Sequence, residues 1–237
     1  MQLFLLHFAG GNCYSYDFLK RVMPANIKVF ALELPGRGRR YKEDLLRHKQ
    51  AAITDYVQQI RQHRNGNPYM IFGHSMGATL GLSVVKAMEN ADDPPVAFIA
   101  SGNPGPGISE TDDEKLKNKY LLDDDGFKEE LRKLGGLPDE ILNNDELYGF
   151  FGPVIRADFE ILEKDELFEK DTRINTPLYA IMGNTEAMVE QVDNWKHYTN
   201  NYFKSQVLPG NHFFIHQHPK ELVKIIMHCF RNMQVNH

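Results

Sequence analysis

The stretch Gly73-His74-Ser75-Met76-Gly77 constrains this chain more than any other. It follows the apolar run Tyr69-Met-Ile-Phe72 directly and opens a helical pattern carried by Leu80, Val84, Val85 and Met88. A serine between glycines at such a junction occupies a strained strand-to-helix turn, because a β-carbon at either glycine position would collide with the backbone there. The strain pushes the hydroxyl out of the chain. A turn of this kind needs strand-helix units around it, and the sequence supplies them. Gln2 to Phe8 is a short apolar run closed by Gly10-Gly11, Ile27 to Leu32 repeats the pattern and stops at Pro35-Gly36, and further runs span Val96 to Ala100, Pro177 to Met182 and Ser205 to Leu208. Ile53, Tyr56, Val57 and Ile60 predict a helix over about 49–64, ended by Gly66-Asn67-Pro68. Strands alternating with helices predict an α/β fold, a mostly parallel central sheet flanked by helices on both faces.

From about Gly102 to Thr176 the rhythm breaks. The stretch holds no convincing β run and is too long for a plain connection. Leu147, Phe150, Phe151, Val154 and Ile155 form an apolar stripe, and Leu116, Tyr120, Phe127, Leu131 and Leu134 add further apolar positions. It is read as a helical insertion over the sheet, with helices that merely extend the core as the alternative. The 237 residues are expected to form one domain, 1–237, with this insertion at about 102–176.

A serine hydroxyl is a poor nucleophile at neutral pH, so a base must take its proton, and histidine suits that task. Of ten histidines, His212 has the right position, after the strand and loop Val207-Leu-Pro-Gly-Asn211 near the C-terminus. His74 flanks the serine and reads as a packing residue. A metal pair of His212 and His216 is disfavoured by Pro219 and the lack of a nearby carboxylate. An acid that orients the histidine belongs on the loop after the preceding strand, where Glu186 is the first carboxylate; Glu190 and Asp193 follow as fallbacks. An oxyanion hole needs two backbone amides, assigned to Met76 after the serine and to Ala9 in His7-Phe-Ala-Gly-Gly11.

Composition narrows the field. Hydrophobic residues make up 42% and charged residues 25%, which is globular rather than disordered. A net charge of −5 without a long basic run argues against nucleic acid as a partner. Cys13 and Cys229 lack CxxC spacing and read as reduced thiols. The apolar start, Leu3 to Phe8, is too short for a signal core or a membrane span, so a cytoplasmic protein with no membrane partner is expected.

Taken together, Phe8-Ala-Gly-Gly11, Leu34-Pro-Gly-Arg-Gly38, Gly73-His-Ser-Met-Gly-Ala78, Leu134-Gly-Gly-Leu-Pro138, Pro153-Val-Ile-Arg-Ala-Asp-Phe159, Trp195 and Pro209-Gly-Asn-His-Phe-Phe214 resemble the type II thioesterases that accompany non-ribosomal peptide and polyketide synthases. The likeness covers nearly the whole chain. It implies the α/β-hydrolase fold, with the insertion as a mobile lid and Phe150 and Phe151 shaping an acyl pocket. It also implies hydrolysis of acyl thioesters on the phosphopantetheine arms of acyl or peptidyl carrier domains. The chain would need no cofactor of its own, since the arm belongs to the partner, and is read as a monomer. Three positions depart from the family: Glu186 stands where Asp is usual, His7 where Pro is usual, and Asn211 in place of the Gly before His212. Asn211 is expected to be tolerated by adopting a left-handed backbone. An esterase or lipase of the same fold, or a catalytically weakened binding module, are the alternatives.

Overall fold

The structure, a computed structural model, describes residues 1–108, 118–164 and 169–232. Six strands, β1 (Gln2–Leu6), β2 (Lys28–Ala31), β3 (Tyr69–His74), β4 (Ala97–Ser101), β5 (Leu178–Gly183) and β6 (Phe203–Leu208), form one sheet in the order β2-β1-β3-β4-β5-β6. Every pairing is parallel. The four inner strands are buried at every position, which is why they read as continuous apolar runs. The polar positions that meet solvent fall on the edges, Lys28 in β2 and Lys204, Ser205 and Gln206 in β6.

Side chains alternate between the two faces. Phe4, Leu6, Ile71, Phe98, Ala180 and Met182 pack against α2 (Lys49–His63), α3 (Met76–Glu89) and the fully buried Trp195. Leu3, Leu5, Met70, Phe72, Ile99 and Ile181 pack on the other face against Leu19 of α1 (Asp17–Lys20) and Leu222, Ile226 and Phe230 of α7 (Pro219–Asn232). The strand order reverses between β1 and β3, leaving a crevice at their C-terminal ends, where ligands bind in open α/β sheets. The loop after β1 and the Ser75 turn after β3 both open there. Helix α3 starts at Met76, four residues before Leu80 opens the apolar pattern, because the turn is completed by Ser75 at the N-cap position.

Between β4 and β5 lie α4 (Asp124–Leu134), α5 (Asp139–Leu142) and α6 (Asp145–Glu163). Asp123 caps α4 by accepting the Gly126 amide, and Gly135, at φ 69°, ends it in the left-handed conformation that a side chain would disfavour. Asn144 caps α6 in the same manner. These helices bury an apolar cluster of their own, Phe127, Leu131, Leu142, Tyr148, Ile155 and Phe159. Helix α6 is not uniform. Its C-terminal half sinks inward, with Ile161 in the main core, whereas Phe150 is 70% and Phe151 38% exposed. Phe150 lies five residues before Ile155, about 140° round the axis at 3.6 residues per turn, so one stripe cannot turn both inward. Leu116 lies outside the described residues. Among those described, no helix is long and apolar enough to cross a membrane.

Removing a fully buried aromatic ring from the helical cluster and removing an exposed one should differ sharply. Phe127→Ala is expected to cost about 3–5 kcal/mol, and Phe150→Ala no more than about 0.5 kcal/mol, as read from urea unfolding followed by circular dichroism.

Candidate active site

Backbone crowding shapes the turn at Ser75. A β-carbon on Gly73 would lie 2.0 Å from the Gly77 carbonyl oxygen, and one on Gly77 would lie 2.2 Å from that of Leu6. Ser75 itself takes φ 55° and ψ −115°, a conformation that costs free energy for a side chain and persists only when its surroundings impose it. Its amide donates to the Ser101 carbonyl at 2.7 Å, tying the turn to β4. His74 beside it is buried, with Nδ1 3.0 Å from Ser101 Oγ, and burial keeps its imidazole well below the ordinary value and neutral. It packs beneath the His212 ring at 5.0 Å between centroids.

At the other side of the crevice, the loops after β5 and β6 are laced together. Gly183 has no room for a side chain: a β-carbon would sit 2.5 Å from the Gly210 and 2.6 Å from the Asn211 carbonyl oxygens. Asn184 N donates to Leu208 O at 2.8 Å, Gly210 N returns to Asn184 Oδ1 at 2.8 Å, and Thr185 N and Oγ1 both donate to Gly210 O. This lacing sets His212 over Glu186, with His212 Nδ1 2.8 Å from Glu186 Oε2. The other carboxylate oxygen, Oε1, accepts the Gly183 amide at 2.6 Å. Glu186 therefore folds back on its own turn, which uses the extra methylene that distinguishes it from Asp. A carboxylate acceptor at Nδ1 places the imidazole proton there and leaves Nε2 with its lone pair outward. Ser75 and His212 are not hydrogen-bonded to each other among the described residues, but both open onto one chamber, and such contacts commonly close only with substrate bound.

Asn211 does not take up the left-handed conformation expected of it. Gly210 carries the positive φ, 122°, so Asn211 need not, and its Oδ1 instead accepts the Phe213 amide at 3.0 Å. His216 lies against aromatic rings, 4.5 Å from Phe18 and stacked on Phe213.

The chamber encloses about 320 Å³ and is lined by Ser75, His212, Glu186 and Ala9 at one end and by Leu131, Leu134, Leu137, Ile155, Phe159 and Leu162 from the helical segment at the other. Phe150 and Phe151 do not line it, correcting the expectation that they shape the pocket; α6 contributes to the chamber only from Ile155 onward. Met76 opens α3, so its amide has no helical carbonyl behind it to bond. Ala9 is aimed from both sides. The Phe8 carbonyl, which shares a peptide plane with the Ala9 amide, accepts His7 Nδ1 and the Gly11 amide, each at 2.8 Å. In a trans peptide the N–H points opposite to the C=O, so pinning the carbonyl fixes the amide. His7 also accepts the Leu34 amide on Nε2 at 3.4 Å, which accounts for a histidine in place of proline: it links the first two loops. Burial, with the nearby Arg37 charge, pushes its imidazole down to about 3.

Two groups of residues escaped sequence reasoning. Glu33 is buried, and its carboxylate accepts the Cys13 and Arg39 amides at 2.9 Å each. A β-carbon on Gly38 would strike it at 1.8 Å, which explains that glycine in Leu34-Pro-Gly-Arg-Gly38. Arg37 and Asp158 form a buried bidentate pair at 2.5 and 2.8 Å, and Asp158 Oδ2 also accepts the Gly10 amide at 2.7 Å. Burial pushes the Asp158 carboxyl up, against the opposing pull of Arg37 and Gly10. Both residues stand in motifs quoted above, but nothing local pairs them.

A parallel sheet with a strained serine turn after β3 and a histidine-carboxylate couple on the last two strand loops defines a serine hydrolase of the α/β-hydrolase fold. The chain belongs to the thioesterase domain family, whose profile matches residues 1–231. It is 30% identical over 230 residues to the protein named linear gramicidin dehydrogenase LgrE of Brevibacillus parabrevis, covering 94% of this chain and 85% of the relative. Among solved structures it is similar to ClbQ from the colibactin NRPS/PKS pathway, at 26% identity, TM-score 0.89 and coverage of 100% of this chain and 99% of that one. It is similar too to YbtT, a type II thioesterase from the yersiniabactin NRPS/PKS pathway, at 25% identity, TM-score 0.87 and coverage of 98% and 93%.

Two outcomes test this geometry. Gly183→Ala should force the 210–211 backbone away and cost about 1–3 kcal/mol; by NMR, wild type should show a downfield His212 Nδ1 proton resonance that the variant lacks. The second concerns pH. His7 stays neutral in the folded protein down to about 3, while in the unfolded chain it takes up a proton near 6.5. The unfolded state therefore binds more protons between those values, so this contribution is intact above about pH 6.5 and is lost as pH falls toward 3. His7→Gln should flatten the loss of stability between pH 6.5 and 4, measured by urea unfolding at stepped pH.

Proposed function

We propose that this thioesterase releases acyl groups held as thioesters on the phosphopantetheine arms of carrier domains in non-ribosomal peptide or polyketide synthesis, clearing stalled or wrongly loaded arms. The observation that carries the reading is the position of Glu186, engaged by the Gly183 amide on one oxygen and by His212 on the other, at the mouth of a chamber that also holds Ser75. Ser75 Oγ attacks the thioester carbonyl as His212 Nε2 takes its proton, and the carbonyl oxygen becomes an oxyanion facing the Ala9 and Met76 amides. The C–S bond breaks, and the departing thiolate takes the proton from His212. Water then attacks the acyl-serine, giving its proton to His212, which returns it to Ser75 Oγ as the free acid leaves. Glu186 stabilises the imidazolium in both halves. The apolar far end of the chamber suits an acyl chain, and the arm enters as part of the substrate rather than as a resident cofactor.

The name of LgrE points to redox chemistry for that relative. The parts proposed here, a nucleophilic serine, a histidine oriented by a carboxylate and two backbone amides, are those of acyl transfer. Similarity to ClbQ and YbtT, both from NRPS/PKS pathways, supports a carrier-bound substrate over a free small ester.

Hydrolysis of a panel of acylated carrier domains, followed by intact-protein mass, tests the reading. Wild type should free the thiol and turn over the carrier-bound acyl group far better than the same group on a small thiol. Ser75→Ala should release nothing while remaining folded, and Glu186→Gln should be slower by about 10⁴-fold, since a neutral amide favours the wrong tautomer. Turnover by a folded Ser75→Ala protein would sink the mechanism; equal turnover of carrier-bound and free thioesters would sink the carrier substrate.

A further inference from the structure

Asp158 belongs to α6, yet its carboxylate reaches the loop after β1. Oδ2 accepts the Gly10 amide at 2.7 Å, and Arg37, from the loop after β2, closes on both oxygens while its other hydrogens approach the Gly11 and Pro35 carbonyls at 3.5 Å. The two side chains are 3% and 0% exposed. Helix α6 also packs on the same loop, because Gly10 turns at φ 76° with Ile155 Cγ1 only 2.7 Å from where a β-carbon would be. A buried ion pair is a poor way to gain stability, since desolvation offsets most of its attraction and an apolar pair of similar volume commonly does as well. What an apolar pair cannot supply is an acceptor for the Gly10 amide, the next one along from Ala9.

We propose that Asp158, its buried charge balanced by Arg37, is a positioning residue that fixes the Ala9–Gly10 backbone so that the Ala9 amide faces the Ser75 chamber, and that it makes the oxyanion loop answer to the position of α6. The inference rests on the reading of Ala9 as an oxyanion donor. His7 and Gly11 hold the Phe8 carbonyl on one side of Ala9; Asp158 holds the Gly10 amide on the other. The C-terminal half of α6 is thereby a fixed post, and any opening of the helical segment that carried it along would dismantle the oxyanion site.

Two double variants separate positioning from stability, assayed on an acyl thioester of a small pantetheine thiol beside wild type and Ser75→Ala. Arg37→Met/Asp158→Leu removes both charges and the acceptor; Arg37→Met/Asp158→Asn removes the charges and keeps an oxygen for Gly10. The expected result is a near-normal thermal midpoint for both, with kcat lowered on the order of 100-fold in the Met/Leu protein only and KM nearly unchanged, the mark of an interaction made in the transition state. Wild-type kcat in the folded Met/Leu protein would overturn the proposal, as would an equal loss in the Met/Asn protein. If the Met/Leu protein does not fold, Arg37→Met/Asp158→Val takes its place beside the Met/Asn protein, with the same loss of kcat expected and wild-type kcat in the folded protein overturning the proposal. Failure of wild type to turn over the small thioester and an acylated carrier domain alike, or turnover by Ser75→Ala, would instead strike the underlying reading of Ser75, and the inference with it.

Discussion

Everything at the catalytic end of the sheet depends on one close approach, that of the Ser75 turn to the end of β1. With Gly77 set against the Leu6 carbonyl, and Gly73 against Gly77 itself, two stretches of backbone meet with no side chain between them. That contact is possible because β1 and β3 are neighbours although β2 lies between them in sequence. It brings Ala9 to the same chamber as Ser75, and the bond from the Ser75 amide to Ser101 keeps the strained turn from relaxing. Strain at Ser75 is thus offset by ordinary packing and hydrogen bonding around it.

The second half of the site is built on the same logic with different parts. Gly183 lets the loop after β6 lie directly on the end of β5, so the carboxylate and the imidazole are aligned by backbone rather than by long flexible side chains. Glu186 illustrates how a longer acid is accommodated: its reach is consumed in turning back to the Gly183 amide. The helical segment then closes the chamber from above, and Gly136 in its α4–α5 connection lies against Phe213, the neighbour of His212.

Much of this was legible in the sequence, and the reasons differ by residue. Ser75 and its glycines form a local pattern whose steric meaning is independent of the rest of the chain. His212 and Glu186 were found by their places after successive strands, a matter of topology, and the structure brings them within hydrogen-bond distance. Arg37 and Asp158 were visible only as letters in two motifs, because a buried pair joined across most of the chain leaves no periodic or local trace. Phe150 and Phe151 were misplaced for another reason: helical spacing marks an apolar stripe but does not say where a long helix leaves the core. Asn211 was assigned the wrong backbone because either of two adjacent residues can supply a positive φ, and Gly210 does so. Strand β6 begins at Phe203, two residues before the run Ser205 to Leu208, because the exposed Lys204 of this edge strand separates Phe203 from that run.

The all-parallel sheet has a consequence for how the protein is made. Every strand pair is closed by a long crossover, so the contacts that matter join residues far apart in sequence, and folds of that kind form slowly. Glu186 and His212 follow the last two strands, so a chain emerging from the ribosome gains Ser75 and Ala9 long before it gains His212. Until β6 adds to the edge of β5, the nascent protein has no imidazole to set beside Ser75, and it carries an open, wholly apolar strand edge of the sort that invites association. Completion of the sheet and the pairing of Glu186 with His212 are therefore a single event in the life of the molecule.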